Sequence, residues 1–491
     1  MAEFETVTVS RYCSLINRLP DEVLHLILDK LPIEDAVRTG VLSHRWRNLW
    51  KYITNIKFVF EPSWETSTTG KEIVQPLNQF IRNYLGEKIK AFTVELAFHH
   101  SISDEVDSWI QFATSKKVEK LNLDFDVSNH HIPDSARGDH PYKLNPCIFK
   151  CESLEMLTLR WCVIELPQLT SLHNLKQVYL RQMELPEDAI YRLTSNSPVL
   201  EVLNLEDCNG TSDFHIIIAP NPHFQKLLIY EEFPVDTSTT MVVLAPNTKE
   251  FILTGYMPRK KYRIENMLQC VNVGFYFNHM YGLCTKEEEG DEEEGLNVLV
   301  DDENTQRTED KLLEILCSFQ ETRCLQICDW CIQMVSSRER RNTGRISLNC
   351  LSLELYTNFL KWELPGIVYM LKACHKLEHL LIVIPPYPEE IELPEDYLMH
   401  YDFQANGYLI NAIQDFVDPL QKLKTVEIKN NRGDHQTWDP ESFEMHRFFQ
   451  GAELGIELMI LLRRIAVNLQ HVIFSTNKQK HVLSLMKAVV Q

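Results

Sequence analysis

The sequence predicts an α/β chain, in which a small helical module at the N-terminus precedes a long solenoid of short strands, each followed by a return segment. Three observations carry that class. Residues 16–50 hold two Pro-led helix starts and a Ser-led third in one short span. Beyond them a triplet of the form apolar, two residues, apolar, one residue, apolar recurs down most of the chain. The 491 residues, 44% of them hydrophobic, are enough for two or three domains with substantial cores.

In the helical module Leu24, Ile27, Leu28 and Leu31 recur at helical spacing after Leu19-Pro20. Asp21 and Glu22 fall in the first turn, where carboxylates offset the positive end of the helix dipole. Pro32 ends this helix and opens the next, because a missing N–H at a first helical position costs nothing. Val37, Val41 and Leu42 carry a second apolar stripe to Ser43, which reads as the N-cap of a third helix holding Trp46, Leu49 and Trp50. So small a segment cannot bury its own hydrophobic face. In order it runs Leu-Pro-Asp, Ile-Leu, Leu-Pro, Ala-Val, Val-Leu-Ser, Arg-Trp-Arg and Leu-Trp, and it resembles the plant F-box. The resemblance implies a three-helix binding module, assigned to residues 11–60 after a flexible 1–10, that docks on a Skp-type adaptor and through it a cullin. The chemistry of such a ubiquitin ligase belongs to other subunits. By the family pattern Leu19, Pro20, Leu24, Ile27, Leu28, Leu31, Pro32, Val37, Val41, Leu42, Trp46, Leu49 and Trp50 are the adaptor-binding positions, divided between the interface and the packing of the helices.

The repeated triplet is clearest at Leu154/Leu157/Leu159, Leu175/Val178/Leu180, Leu200/Leu203/Leu205, Phe224/Leu227/Ile229 and Thr248/Phe251/Leu253, with central positions 21, 25, 24 and 24 residues apart. These are the periods of a leucine-rich repeat, in which each unit supplies a short strand and a return and none is stable alone. Earlier copies are expected at Val118/Leu121/Leu123 and around Phe92 and Val94. Later ones are expected at Leu268/Val271/Val273, Thr322/Leu325/Ile327, Leu348/Leu351/Leu353 and Leu377/Leu380/Ile382. Cys162 and Cys208, three residues after Leu159 and Leu205, stand where such repeats carry the residue that turns the chain. The solenoid is assigned to 61–395, and the phrases CESLEMLTL, SPVLEVLNL and CHKLEHLLI resemble the repeat entries of plant F-box proteins.

An acidic insertion is expected at about 285–310, since residues 286–310 hold twelve acidic and two basic side chains and six Glu plus an Asp crowd 287–294. Such a run cannot bury enough apolar surface to order itself. After it, Leu312, Leu313, Ile315, Leu316 and Phe319 rebuild a helix. The C-terminal region, 396–491, reads as a strand at Leu423 to Ile428, a helix through Leu454, Leu458, Leu461, Leu462, Ile465 and Leu469, and a second strand, HVIF. It resembles the FBD domain of plant F-box proteins, with Glu457, Leu458 and Ala466 matching. It departs at Asn430-Asn431-Arg432-Gly433 and at Arg463 and Ile465, and 434–452 reads as inserted. The whole thus resembles plant proteins of the F-box/FBD/LRR type, which implies an F-box, a leucine-rich-repeat solenoid and a strand-helix-strand cap.

Lys and Arg total 49 against 69 Asp and Glu, and a net charge of -20 disfavours nucleic acid or anionic membrane as a partner. No apolar run approaches bilayer length, and MAEFETVTVS lacks a secretory pattern, so cytosol or nucleus is expected. Thirteen Cys in apolar contexts fit reduced thiols, a setting in which the sequon Asn209-Gly210-Thr211 goes unused. His375, Glu378 and His379 have the spacing of an inverted zincin motif. Leu377 and Leu380 are already repeat positions, however, so the stretch crosses into a strand where residues i and i+4 no longer share a side. Cys324, Cys328 and Cys331 lack a clear fourth ligand. No phosphate loop, nucleophile elbow or catalytic carboxylate pair stands out, and no basic cluster suits an inositol phosphate. The sequence therefore predicts no enzyme, no metal and no cofactor. It predicts a substrate receptor of a Skp-cullin-F-box ligase, ahead of an interaction scaffold or decoy without ligase activity and, remotely, a metallohydrolase.

Overall fold

Parallel strands need long crossovers, and alternating burial needs a one-sided core; the repeat supplies both. A computed structural model of the chain describes residues 16–60, 70–126, 140–165, 172–231, 238–278, 302–342, 344–385, 407–416, 420–430, 453–476 and 480–484. The chain packs as two compact units, 1–224 and 225–491. Among the described residues no helix is long and apolar enough to cross a membrane.

In the first unit, helices α1 (Asp21–Leu28) and α2 (Ile33–Arg38) are followed by 3-10 turns at Thr39–Val41 and Trp46–Tyr52. The expected third helix is thus of the tighter kind, and Ser43 does not cap it. Its hydroxyl instead donates to Asn17 Oδ1 at 3.2 Å. A parallel sheet then runs β1 (Asn55–Val59), β2 (Ala91–Glu95), β3 (Lys120–Asp124), β4 (Met156–Arg160), β5 (Gln177–Arg181) and β6 (Val202–Glu206). Its first strand falls inside the 11–60 segment. Pairing puts Ile56, Phe92, Leu121, Leu157, Val178 and Leu203 in one row and Phe58, Val94, Leu123, Leu159, Leu180 and Leu205 in the next, all buried. Residues between them face outward, because successive side chains alternate across a strand. Helix α3 (Gly70–Asn83) returns Val74, Leu77 and Phe80 to the core. Helix α4 (Ser103–Ser115) returns Val106, Trp109, Ile110 and Ala113.

Strand ends share one device. Trp161, Gln182 and Asp207, each directly after its strand, are left-handed at φ 57°, 50° and 51°, a conformation that costs a non-glycine residue about 1 kcal/mol or more. The next residues, Cys162, Met183 and Cys208, drop into the core. The Cys208 thiol reaches Leu180 O at 3.4 Å and Cys162 reaches Arg160 O at 3.4 Å, which is the turning role expected of both. Burial pushes the Cys208 thiol up to about 12 and Cys162 higher still.

The second unit continues the pattern through β7 (Lys226–Glu231), β8 (Glu250–Gly255), β9 (Asn272–Phe277), β10 (Cys324–Ile327), β11 (Ser352–Tyr356), β12 (His379–Ile384), β13 (Thr425–Asn430) and β14 (His471–Thr476). A final β15 (Lys480–Ser484) pairs antiparallel with β14. Leu227, Phe251, Val273, Leu325, Leu353, Leu380, Val426 and Val472 align in one buried row. Because β13 pairs with β12, the strands of the FBD-like region extend this sheet, with helix Glu453–Ile465 between the last two parallel strands. At Gly255, φ is +100° and an added Cβ would meet Glu231 O at 2.2 Å, so this close approach requires glycine.

Two repeat registers need correction. Leu268 is 84% exposed and Val271 partly so, while Cys270, Val273 and Phe275 point inward. Likewise Cys350, Leu353 and Leu355 are inward where Leu348/Leu351/Leu353 was expected. In both cases an apolar residue just before the strand imitates an inward position, a displacement that local spacing does not reveal. The end of the segment expected as an acidic insertion, about 285–310, is helical instead. Helix α5 spans Asp302–Cys317, and Glu309, 1% exposed, pairs with Arg338 and Arg341 of helix α6 (Asp329–Arg341). Two cations offset that burial, so residues 302–310 fold; 285–301 lie outside the described residues.

Candidate functional site

Helices of two turns or fewer have one face to spend on packing, and here Leu24 and Leu28 of α1, Ile33 and Ala36 of α2, and Trp46 and Leu49 of the 3-10 turn spend it. Of the thirteen positions expected to divide between interface and packing, Leu24, Leu28, Trp46 and Leu49 are buried and hold the module together. Of the rest, Pro20, Pro32, Val37, Val41 and Leu42 are exposed, Val41 at 88%, and Leu19, Ile27, Leu31 and Trp50 are half-buried. Sequence reasoning missed Val23 and Leu26, the latter 61% exposed. The available signal was that Leu26 lies off the face that Leu24 and Leu28 share.

Asn17 organises this module and was also missed. Its Oδ1 accepts from Trp46 Nε1 at 2.9 Å as well as from Ser43, and Arg45 reaches both its carbonyl and Asp21, with Nε to Oδ1 at 2.9 Å. Asp29 roots the module in the sheet, accepting from Thr54 N at 2.7 Å, Thr54 Oγ1 at 2.8 Å and Asn55 N at 3.1 Å. The exposed apolar side chains are thus held on a fixed frame.

The outward strand face of the first unit is charged and largely self-paired. Lys57 pairs with Glu95 at 3.2 Å, Arg160 with Asp124 at 3.5 Å and Asp126 at 3.3 Å, and Arg181 with Glu206 at 2.6 Å.

The residues weighed for metal chemistry do not converge. His375 Nδ1 lies 3.4 Å from Ser347 Oγ, Glu378 pairs with Lys424 at 2.9 Å, and His379 opens β12. The Lys424 ammonium lowers the Glu378 carboxyl below its usual range. Cys328 and Cys331 are buried with sulfurs 3.8 Å apart, and burial raises the Cys331 thiol well above its usual value and Cys324 to about 12. Among the described residues no three His, Cys, Asp or Glu side chains gather as a metal site.

A small helical module followed by a leucine-rich-repeat sheet defines a class of repeat protein, and known proteins narrow it. Residues 16–57 match the F-box domain, and residues 106–272 match the family described as FBD-associated F-box protein At5g56370, LRR repeats. The F-box/LRR-repeat protein At3g26922 of Arabidopsis thaliana is 31% identical over 261 residues, 52% of this chain and 80% of that protein. The chain matches F-box/FBD/LRR-repeat protein At1g51370 of the same plant at 31% over 39% of its own length and FBD-associated F-box protein At4g10400 at 28% over 46%, spanning 40% and 54% of those relatives. The chain belongs to the F-box/LRR-repeat proteins.

Proposed function

We propose that this chain is the substrate-recognition subunit of a Skp-cullin-F-box ubiquitin ligase. It docks the Skp-type adaptor, and through it the cullin, with the exposed apolar side chains of the F-box, and holds a target protein on the outward strand faces. One observation carries the reading: Val23, Leu26, Val37, Val41 and Leu42 stand exposed within twenty residues of a module whose own core is already filled. Clustered exposed apolar side chains mark interaction sites. Ubiquitin transfer is left to other subunits, and the chain itself needs no cofactor. Eleven described cysteines are free thiols, which supports work in the reducing cytosol or nucleus.

The test is capture of a purified Skp-type adaptor. Leu26→Asp with Val41→Asp should leave the melting temperature unchanged and cut capture at least about thirtyfold, since a lost hot spot typically costs ~2 kcal/mol or more. Undiminished capture by the folded double variant would overturn the docking surface. Copurification with a cullin and transfer of ubiquitin to a bound target separate a ligase subunit from a scaffold or decoy.

A further inference from the structure

The outward face of the second unit holds a preformed polar and aromatic set. Gly274, Gln326, Glu354 and Leu381 stand side by side on β9, β10, β11 and β12, with Tyr276 and Tyr356 one outward step further along β9 and β11. The Tyr276 hydroxyl donates to Gln326 Oε1 at 2.5 Å, and Gln326 Nε2 donates to Glu354 Oε2 at 3.0 Å. The Cys324 thiol reaches Glu354 Oε1 at 3.6 Å. Tyr276 and Tyr356 meet edge-on, their centroids 5.4 Å apart at 74°. A Cβ on Gly274 would lie 2.8 Å from Tyr276 Cε2, so the missing side chain lets the ring fold down over the strand.

Among the described residues every group that hydrogen-bonds Glu354 is neutral, and its cross-strand neighbours Gln326 and Leu381 bring no charge. Among the described residues no Lys or Arg pairs with it, whereas the carboxylates Glu95, Asp124 and Glu206 on the outward face of the first unit have their own cations. A carboxylate oxygen can accept two hydrogen bonds, so both Glu354 oxygens keep capacity. A half-buried carboxylate flanked by tyrosine rings favours a planar cation that can bond and stack together, and guanidinium does both where ammonium does not. The net charge of -20 also favours approach of a basic segment.

We propose that Glu354, Tyr276 and Tyr356 seat one arginine side chain of the target protein. The guanidinium bonds Glu354 while its plane lies against a tyrosine ring, and Gln326 holds the carboxylate in place. This rests on the reading of the outward strand faces as the target-binding surface. It goes further by naming a target segment that carries arginine.

The test is selection from a random peptide library with one fixed position, either arginine or its neutral isostere citrulline, presented to the full chain. Arginine members should be enriched about tenfold or more over citrulline members, as expected for a charge-assisted pair with cation–π support. Glu354→Gln should abolish the preference without changing the melting temperature. Tyr356→Leu, expected to weaken it severalfold, carries the comparison if the first variant does not fold. Absence of arginine enrichment with the parent chain, or a preference intact in the folded variants, overturns the seat. Capture of peptides without regard to arginine would overturn it while leaving target capture by the repeats standing. Adaptor binding is read separately and does not depend on it.

Discussion

The outward strand faces of the two units are built from the same repeat and solve their electrostatics differently. In the first, carboxylates and cations on neighbouring strands neutralise each other, as Arg160 does with Asp124 and Asp126 and Arg181 does with Glu206. In the second, Lys226 pairs with Glu250 at 2.7 Å, but among the described residues Glu354 is met only by an amide and a thiol. The same unit also places ionisable groups deep in its packing: Arg259 and Glu231 are almost fully buried against each other at 2.6 Å, and Glu363 is wholly buried. A self-paired surface ladder is near its electrostatic optimum before any partner arrives. Acidic groups without a cation leave free energy to be gained from one.

The largest expected effect lies in the buried pair. Arg259 donates from Nε to Glu231 Oε1, and Tyr262 donates to Glu231 Oε2 at 3.0 Å. Arg259→Met leaves the carboxylate buried with its main counter-charge gone. Removing one partner of a buried pair costs about 3–5 kcal/mol, which a urea titration of the parent and variant would read as a lower midpoint. A shift below about 1 kcal/mol would mean that the site admits water once opened.

Glu363 should make the second unit sensitive to pH. Burial pushes its carboxyl up to about 7 and Asp329 adds to that, against hydrogen bonds from Thr357, Leu360 and Gln333 that act the other way. Thr357 Oγ1 donates to Glu363 Oε2 at 2.6 Å, and Asn358 N and Leu360 N do so at 3.1 Å. The unfolded chain releases this proton near the ordinary carboxyl value while the folded chain keeps it until about pH 7. This group's contribution is therefore fully present at acid pH, falls as pH rises through that window and is lost above it. With each unit worth about 1.4 kcal/mol, the change is on the order of 3 kcal/mol. Melting curves of the parent and Glu363→Gln, whose neutral amide resembles the protonated carboxyl and does not titrate, should lie closer at pH 5 and separate at pH 7.5, with the parent falling relative to the variant; equal pH slopes would show that the carboxyl is ionised throughout.

The smallest effect is expected from the self-paired face. Arg181→Ala removes a partly exposed ion pair and should cost under about 1 kcal/mol. Comparable losses for Arg181→Ala and Arg259→Met would erase the distinction between the two units.

Some of this was legible in the chain because it is written locally. The recurring triplets located Leu157, Val178, Leu203, Leu227, Phe251, Leu325 and Leu380, each of which occupies the central inward row. The Pro, Ser and Trp order of residues 16–50 pointed to the F-box. Strand alternation and helix spacing record an element's own two faces, so they survive in one dimension. What the spacing misread was which apolar residue takes the central inward place when two compete, as at Val271 and Val273, or at Leu351 and Leu353.

By itself, then, the sequence determined the class of protein, the succession of strand and return, and the F-box segment. The tertiary structure decided which residues of that segment are exposed, that Glu309 is matched by Arg338 and Arg341 about thirty residues away, and that Glu354 faces outward with no cation among the described residues. The physical reason is that burial and charge pairing depend on groups brought together by strand pairing and helix return. A residue's partners across the sheet are set by a register that only the assembled repeats complete.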